Sequence, residues 1–135
     1  MRYTLVLFLL VLTAFAQGDD DCLIFTDSLL ENGDLVQMNI PVIADDSDLL
    51  LEKFIALQAV RHFLIDALRE PIPCHEEPTL SLLDATIGYQ DYVTLRLGQK
   101  LVKDAPSMEE RLVATLEAAD SSYDAYDTFW NPPDA

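Results

Sequence analysis

SDLLLEKFIALQAVRHFLIDALRE, residues 47–70, is the stretch whose reading decides the fold. At 100° per residue, Leu50, Phe54, Leu57, Val60, Leu64 and Leu68 make one broad apolar side. Leu51, Ile55 and Ala59 then break up the side that carries Gln58, His62, Asp66 and Arg69. A helix apolar in so many directions predicts neighbours on more than one side, and so a helical bundle with this helix at its centre. Asp45, Asp46, Ser47 and Asp48 offer N-cap oxygens, and Glu52 suits the positive end of the helix dipole. Pro71, Pro73 and Pro78 oppose continuation, so Cys74-His75-Glu76-Glu77 reads as an irregular, exposed loop.

Downstream, Leu83, Ile87, Val93, Leu97 and Leu101 share one helical side between Thr79 and Lys103, with Lys100 and Lys103 suited to the C-terminal end. Gly88 and Gly98 each cost up to about 1 kcal/mol inside a helix and Tyr92 to Leu97 also reads as a strand, but the expectation is one helix, with Gly88 the place where it can kink. Ser107 and Glu110 have capping-box spacing. From there Met108, Leu112, Leu116, Ala119, Tyr123, Tyr126 and Trp130 repeat at steps of mostly three and four, and Glu110, Glu117 and Asp124 fall opposite. Pro132-Pro133 ends the helix.

Upstream, two readings stay open. Leu23, Phe25, Leu29 and Leu30 before Asn32-Gly33 fit a short helix closed by glycine, while Asn-Gly also suits a hairpin turn. Val36, Met38, Ile40 and Val42 alternate with Gln37, Asn39 and Pro41. With no partner strand evident, the expectation is an extended segment laid across the bundle.

The chain begins Met1-Arg2-Tyr3, runs apolar from Leu5 to Leu12 and reaches the small-residue pattern Ala14-Phe15-Ala16. This is the pattern of a secretory signal over residues 1–18, cleaved after Ala16 or Gly18, which leaves residues 19–135 as a single helical domain. The run is shorter than the roughly 20 residues a membrane span needs, so no stable membrane insertion is expected. The 135 residues hold 8 Lys and Arg against 24 Asp and Glu, a net charge of −16, and losing Arg2 with the signal takes it to about −17. Such a surface repels nucleic acid and anionic lipid. Cys22 and Cys74 are the only cysteines, and an oxidising compartment predicts a disulfide between them. In the chain-entropy model it contributes roughly 4 kcal/mol.

Little in the chain suggests catalysis. There are two histidines, and no Gly-rich phosphate loop, His-Glu-x-x-His or Gly-x-Ser-x-Gly. His62 and Asp66 stand at i and i+4, a spacing open to a base with its orienter, but Arg69 three residues on makes a local ion-pair cluster the better reading. His75 beside Cys74 and Glu76-Glu77 has zinc-ligand residue types without a second pair at ligand spacing. From Asp46 onward the acidic run lacks the sixth-position glycine and twelfth acidic ligand of an EF-hand. No cofactor or metal is therefore expected. Tyr123 and Tyr126 stand among Asp120, Asp124 and Asp127, the setting of O-sulfated tyrosines, yet both also lie on the apolar stripe, which favours burial.

Cys22-Leu23-Ile24-Phe25-Thr26-Asp27 with Asn32-Gly33 resembles the opening of secretoglobins, small secreted helical proteins with an apolar cavity. The resemblance covers about a tenth of the chain, and the later cysteines depart from that family's arrangement. Glu109-Glu110-Arg111 downstream of Arg96-Leu97-Gly98-Gln99 resembles the paired Arg-x-Leu-Arg and Glu-Glu-Arg motifs of oomycete effectors, but the first motif does not match and both come late in the chain.

The expectation is an all-α protein: a small secreted helical bundle of three to four helices with an extended N-terminal segment and one disulfide. Its expected function is binding rather than catalysis. Phe54, Leu57, Leu64, Tyr89, Tyr92, Met108 and Trp130 are the candidates to line a cleft for a small apolar ligand. The alternative is an acidic extracellular signalling or interaction protein that meets a basic receptor or matrix partner. The same apolar surplus also suits a homodimer interface or a plain core.

Overall fold

A computed structural model describes residues 2–71, 74–99 and 106–133, with side chains for 20–71, 74–99 and 107–133. It contains four helices: α1 (Arg2–Met38), α2 (Ser47–Leu68), α3 (Glu76–Gln99) and α4 (Pro106–Trp130). Every regular element among the described residues is helical. The side chains of the expected signal, residues 1–18, lie outside those described, as do Lys100, Leu101 and Lys103. Among the described residues no helix is long and apolar enough to cross a membrane.

The N-terminal element is the fourth helix, and it corrects both readings of Asn32-Gly33. Neither a helix end nor a hairpin turn occurs there, because α1 runs on to Met38. Local turn chemistry yields to packing: the Asn32 amide donates to the Ser28 carbonyl one turn back at 2.7 Å, and Gly33 is buried against the Tyr126 ring. The extended stretch is accordingly shorter than expected. Val36 and Met38 are helical, α1 stops at Asn39 ahead of Pro41, and only residues 40–46 form the connection.

α2 matches its expected start, with Asp46 as N-cap accepting from the Leu49 N–H at 2.8 Å. Its expected surroundings need correcting. Only Leu50, Leu57, Val60 and Leu64 are fully buried, while Leu51 and Ile55 face solvent, 51% and 62% exposed. The hub is instead α3, which packs against each of the other helices and most extensively against α4. It buries residues on two sides, among them Leu82, Ala85, Tyr89, Tyr92 and Val93.

α3 also begins earlier than the prolines implied. Glu76 and Glu77 form its first turn rather than a loop, and Pro78 sits within that turn, where a missing N–H breaks no helical bond. It continues through Gly88 as one helix. The glycine serves a close approach there: a Cβ on Gly88 would lie 2.8 Å from the Ala119 Cβ. Small residues on both partners let α3 and α4 meet nearly backbone to backbone. α4 starts at Pro106, so Ser107 lies inside its first turn rather than before it. Leu112, Ala119 and Tyr126 are buried on its inner side, and Glu110, Glu117 and Asp124 are exposed on its outer side, as the spacing predicts.

Leu29 and Val36, Leu57, Val60 and Leu64, Leu82, Ala85 and Tyr89, and Ala119 and Tyr126 join all four helices in one core. Cys22 and Cys74 are disulfide-bonded, with Cα atoms 5.6 Å apart. The bond ties α1 to the start of α3, at the end of the bundle opposite the 40–46 connection.

Candidate binding surfaces

Three regions of the molecule hold polar or apolar groups that the core does not absorb. The first is the α1–α2 connection. Asp45, 7% exposed, accepts from the Val42 N–H at 2.8 Å and from the Lys53 ammonium at 2.6 Å. Lys53 also donates to the Ile40 carbonyl at 3.0 Å, and Arg96 reaches from α3 to the Ile43 carbonyl at 2.8 Å. Burial would raise the Asp45 carboxyl, but the bonds from Lys53 and Val42, with Arg96 nearby, bring it below its ordinary value. The connection is thus clamped by two cations from different helices.

Beside this clamp, Ile43, Tyr92, Leu112, Val113 and Leu116 wall a mostly apolar cleft of about 150 Å³, with Arg96 and Glu109 among its lining. A space of this size holds a benzene-sized ligand. Of the residues expected to line a ligand site, only Tyr92 is here. Leu57, Leu64 and Tyr89 are fully buried in the common core, Phe54 is half-buried on α2, and Met108 and Trp130 are half-buried at opposite ends of α4. The Tyr89 hydroxyl donates to Asp120 Oδ1 at 2.6 Å across the α3–α4 seam, and burial together with that carboxylate pushes the phenol far above its usual range.

The second region is the disulfide end. His75 adopts a left-handed backbone with φ of 61°, uncommon for a residue with a side chain, and its ring meets Trp130 and Phe129 edge-on at centroid distances of 4.9 and 5.5 Å. The sulfurs of Cys22 and Cys74 lie within 4.8 Å of a ring nitrogen of His75. With both sulfurs joined to each other, the trio offers one metal donor, His75, and no thiolate. His62, Asp66 and Arg69 form the expected local cluster on the α2 surface, at 3.2 and 3.3 Å. Tyr126 is buried and its hydroxyl donates to the Leu29 carbonyl at 3.4 Å. Tyr123 is half-buried, with its hydroxyl 3.5 Å from the Gly33 carbonyl. Burial raises both phenols, Tyr126 to about 12.

The third region is a shallow open groove of about 380 Å³ between α1 and the C-terminal half of α2. Asp21, Ile24, Phe25, Ser28, Phe63 and Pro71 line it, and Phe25 and Phe63 stack at its floor at 6.4 Å. Ile24 is 65% exposed.

Reasoning from the sequence alone also missed Gln90. Its amide, 2% exposed, donates to Gln58 Oε1 at 2.9 Å and to the Phe54 carbonyl at 3.3 Å, and accepts from Arg61 at 3.2 Å. A glutamine in a helical sequence carries no mark of burial, so no signal was there to find.

Comparison with protein-family models, with curated proteins and with solved structures finds no match to this chain. Its functional reading rests on the residues above.

Proposed function

We propose that this chain is a secreted, non-enzymatic interaction protein that presents an acidic surface to a basic partner outside the cell. One observation carries the reading: α1 and α2 leave large apolar side chains in solvent, among them Leu23, Ile24, Met38, Leu51 and Ile55, amid carboxylates. Ile24 adjoins the groove lined by Phe25 and Phe63, and exposed apolar surface gathered in this way marks a binding face rather than a solubility device. Its acidic setting selects cationic partners and speeds their approach. Secretion is supported by the apolar Leu5–Leu12 run and by the disulfide, which suits an oxidising compartment. Titration of the mature protein with short oligolysine peptides tests the reading. Binding that weakens steeply between about 50 and 200 mM salt is expected. No binding at low salt would overturn it.

A second reading, a carrier of a small apolar ligand, is favoured by the cleft around Tyr92 and Leu116. Its volume suits a compact ligand rather than a long acyl chain. Saturable uptake of a small lipophilic dye at about one per chain, lost on filling the cleft with Val113→Trp, would support it. Uptake without a fixed stoichiometry would dismiss it.

A further inference from the structure

We infer that the α1–α2 groove is a docking site for one face of a basic amphipathic helix. The inference rests on the interaction reading above and names its site and partner. Asp21, Ile24, Phe25 and Ser28 line the groove from α1 at i, i+3, i+4 and i+7, and the exposed Leu35 lies two turns beyond Ser28 on the same side. Along α2, which runs antiparallel, Phe63 lines the groove, and the exposed Ala59 and Ile55 precede it at steps of four. From Asp21 to Ser28 is seven residues, about 10 Å at 1.5 Å per residue. That matches two turns of a bound helix presenting residues i, i+3, i+4 and i+7.

Charge decides which helix. On the outer side of α1, Asp20, Asp27, Glu31 and Asp34 are exposed, and between residues 20 and 38 the helix has no Lys, Arg or His. Across the groove Glu52 is exposed on α2. The cations of α2 are engaged: Lys53 with Asp45, Arg61 with Gln90, and Arg69 and His62 with Asp66. The groove therefore has an apolar floor and, along α1, an acidic rim without opposing charge. A second copy of the chain, carrying the same excess of acid, would place carboxylate against carboxylate. A helix with leucines on one face and lysines on the flanks meets both features.

The test uses an eighteen-residue Leu/Lys helix and an isomer of the same composition whose order breaks the helical period. The mature, oxidised protein is compared with Ile24→Asn/Leu35→Asn/Ile55→Asn, three substitutions at exposed positions that leave the core intact. The amphipathic peptide should bind the parent at least tenfold more tightly than its isomer, and the triple variant should lose at least tenfold for that peptide alone. Equal binding of the two peptides overturns the groove while leaving the acidic interaction reading in place. No binding of either overturns both. Tight binding that the triple variant retains places the site elsewhere. Sedimentation that shows a parent dimer, monomeric in the triple variant, assigns the groove to self-association and also overturns the inference.

Discussion

The ring of Tyr126 lies on the bare Cα of Gly33, its hydroxyl turned to the Leu29 carbonyl at 3.4 Å. A Cβ on Gly33 would collide with the hydroxyl end of the ring. This pair joins the outer helix α1 to α4, and it explains why a helix-weakening residue stands in the last two turns of α1. Gly33→Ala should gain up to about 1 kcal/mol of helix propensity and lose more through overpacking, typically about 1–3 kcal/mol. Gly98 meets nothing within 4 Å, so Gly98→Ala should keep the propensity gain. Thermal unfolding should give Tm shifts of opposite sign for the two variants. A raised Tm for Gly33→Ala would mean that Tyr126 packs elsewhere.

Leu57→Asp should unfold the domain. Leu57 is fully buried among all four helices, and an unpaired carboxylate there costs several kcal/mol. Two residues earlier on the same helix, Ile55→Asp should alter stability little, because Ile55 is 62% exposed. Urea midpoints for both variants test the pair, and similar losses at the two positions would refute the one-sided burial of α2.

Which parts of this were legible in the sequence follows from what sets each element. α4 was read nearly whole, because its apolar residues keep one helical period and its acids keep the opposite side. α2 was placed well and its surroundings misjudged: periodicity shows which residues are apolar, not whether a neighbour arrives to cover them. Leu51 and Ile55 counted toward a buried helix and turned out to form surface. Gly33 and Gly88 looked like breaks because glycine's turn and kink roles are local, whereas here the missing side chain makes room for Tyr126 and Ala119 from a distant helix. The disulfide needed only a count of two. The groove could not be read at all, since its walls come from two helices whose pairing no short-range pattern encodes.

Reducing the disulfide should destabilise the domain by up to roughly 4 kcal/mol, and the change should fall first on α1. α1 makes the sparsest contacts of the four helices, so Cys22–Cys74 and the 40–46 clamp add to the hold that Leu29 and Val36 give it in the core. Hydrogen exchange before and after reduction should show lost protection in α1 ahead of α3 and α4. Two labelled thiols per chain in unfolded, unreduced protein would contradict the bond itself.

Two pH limbs are expected. The folded Asp45 carboxyl titrates below its ordinary value, so its stabilisation is present above about pH 4 and fades as pH falls through the folded value. Asp45→Asn should be less stable at neutral pH and lose less on acidification. At the other end Tyr126 is raised to about 12, so its contribution is whole below about pH 10 and is lost as pH climbs through the folded value. Phenolate absorbance should then appear together with unfolding rather than before it. Identical acid profiles for the parent and Asp45→Asn would remove the clamp from the account.

The clamp on the 40–46 connection has a colloidal consequence. Lys53 is taken up by Asp45 within the clamp, and the whole chain has only 8 Lys and Arg against 24 Asp and Glu, so few cations are left to offset the outward field. Solvent then meets something close to a polyanion. Added salt should shrink the mutual repulsion of molecules in solution, seen as a falling second virial coefficient, at concentrations that barely loosen the partly buried contacts of the clamp. Crowding behaviour and folding thus respond to ionic strength on separate scales, so that salt alone tunes how closely the molecules approach in a concentrated solution while each bundle keeps its shape.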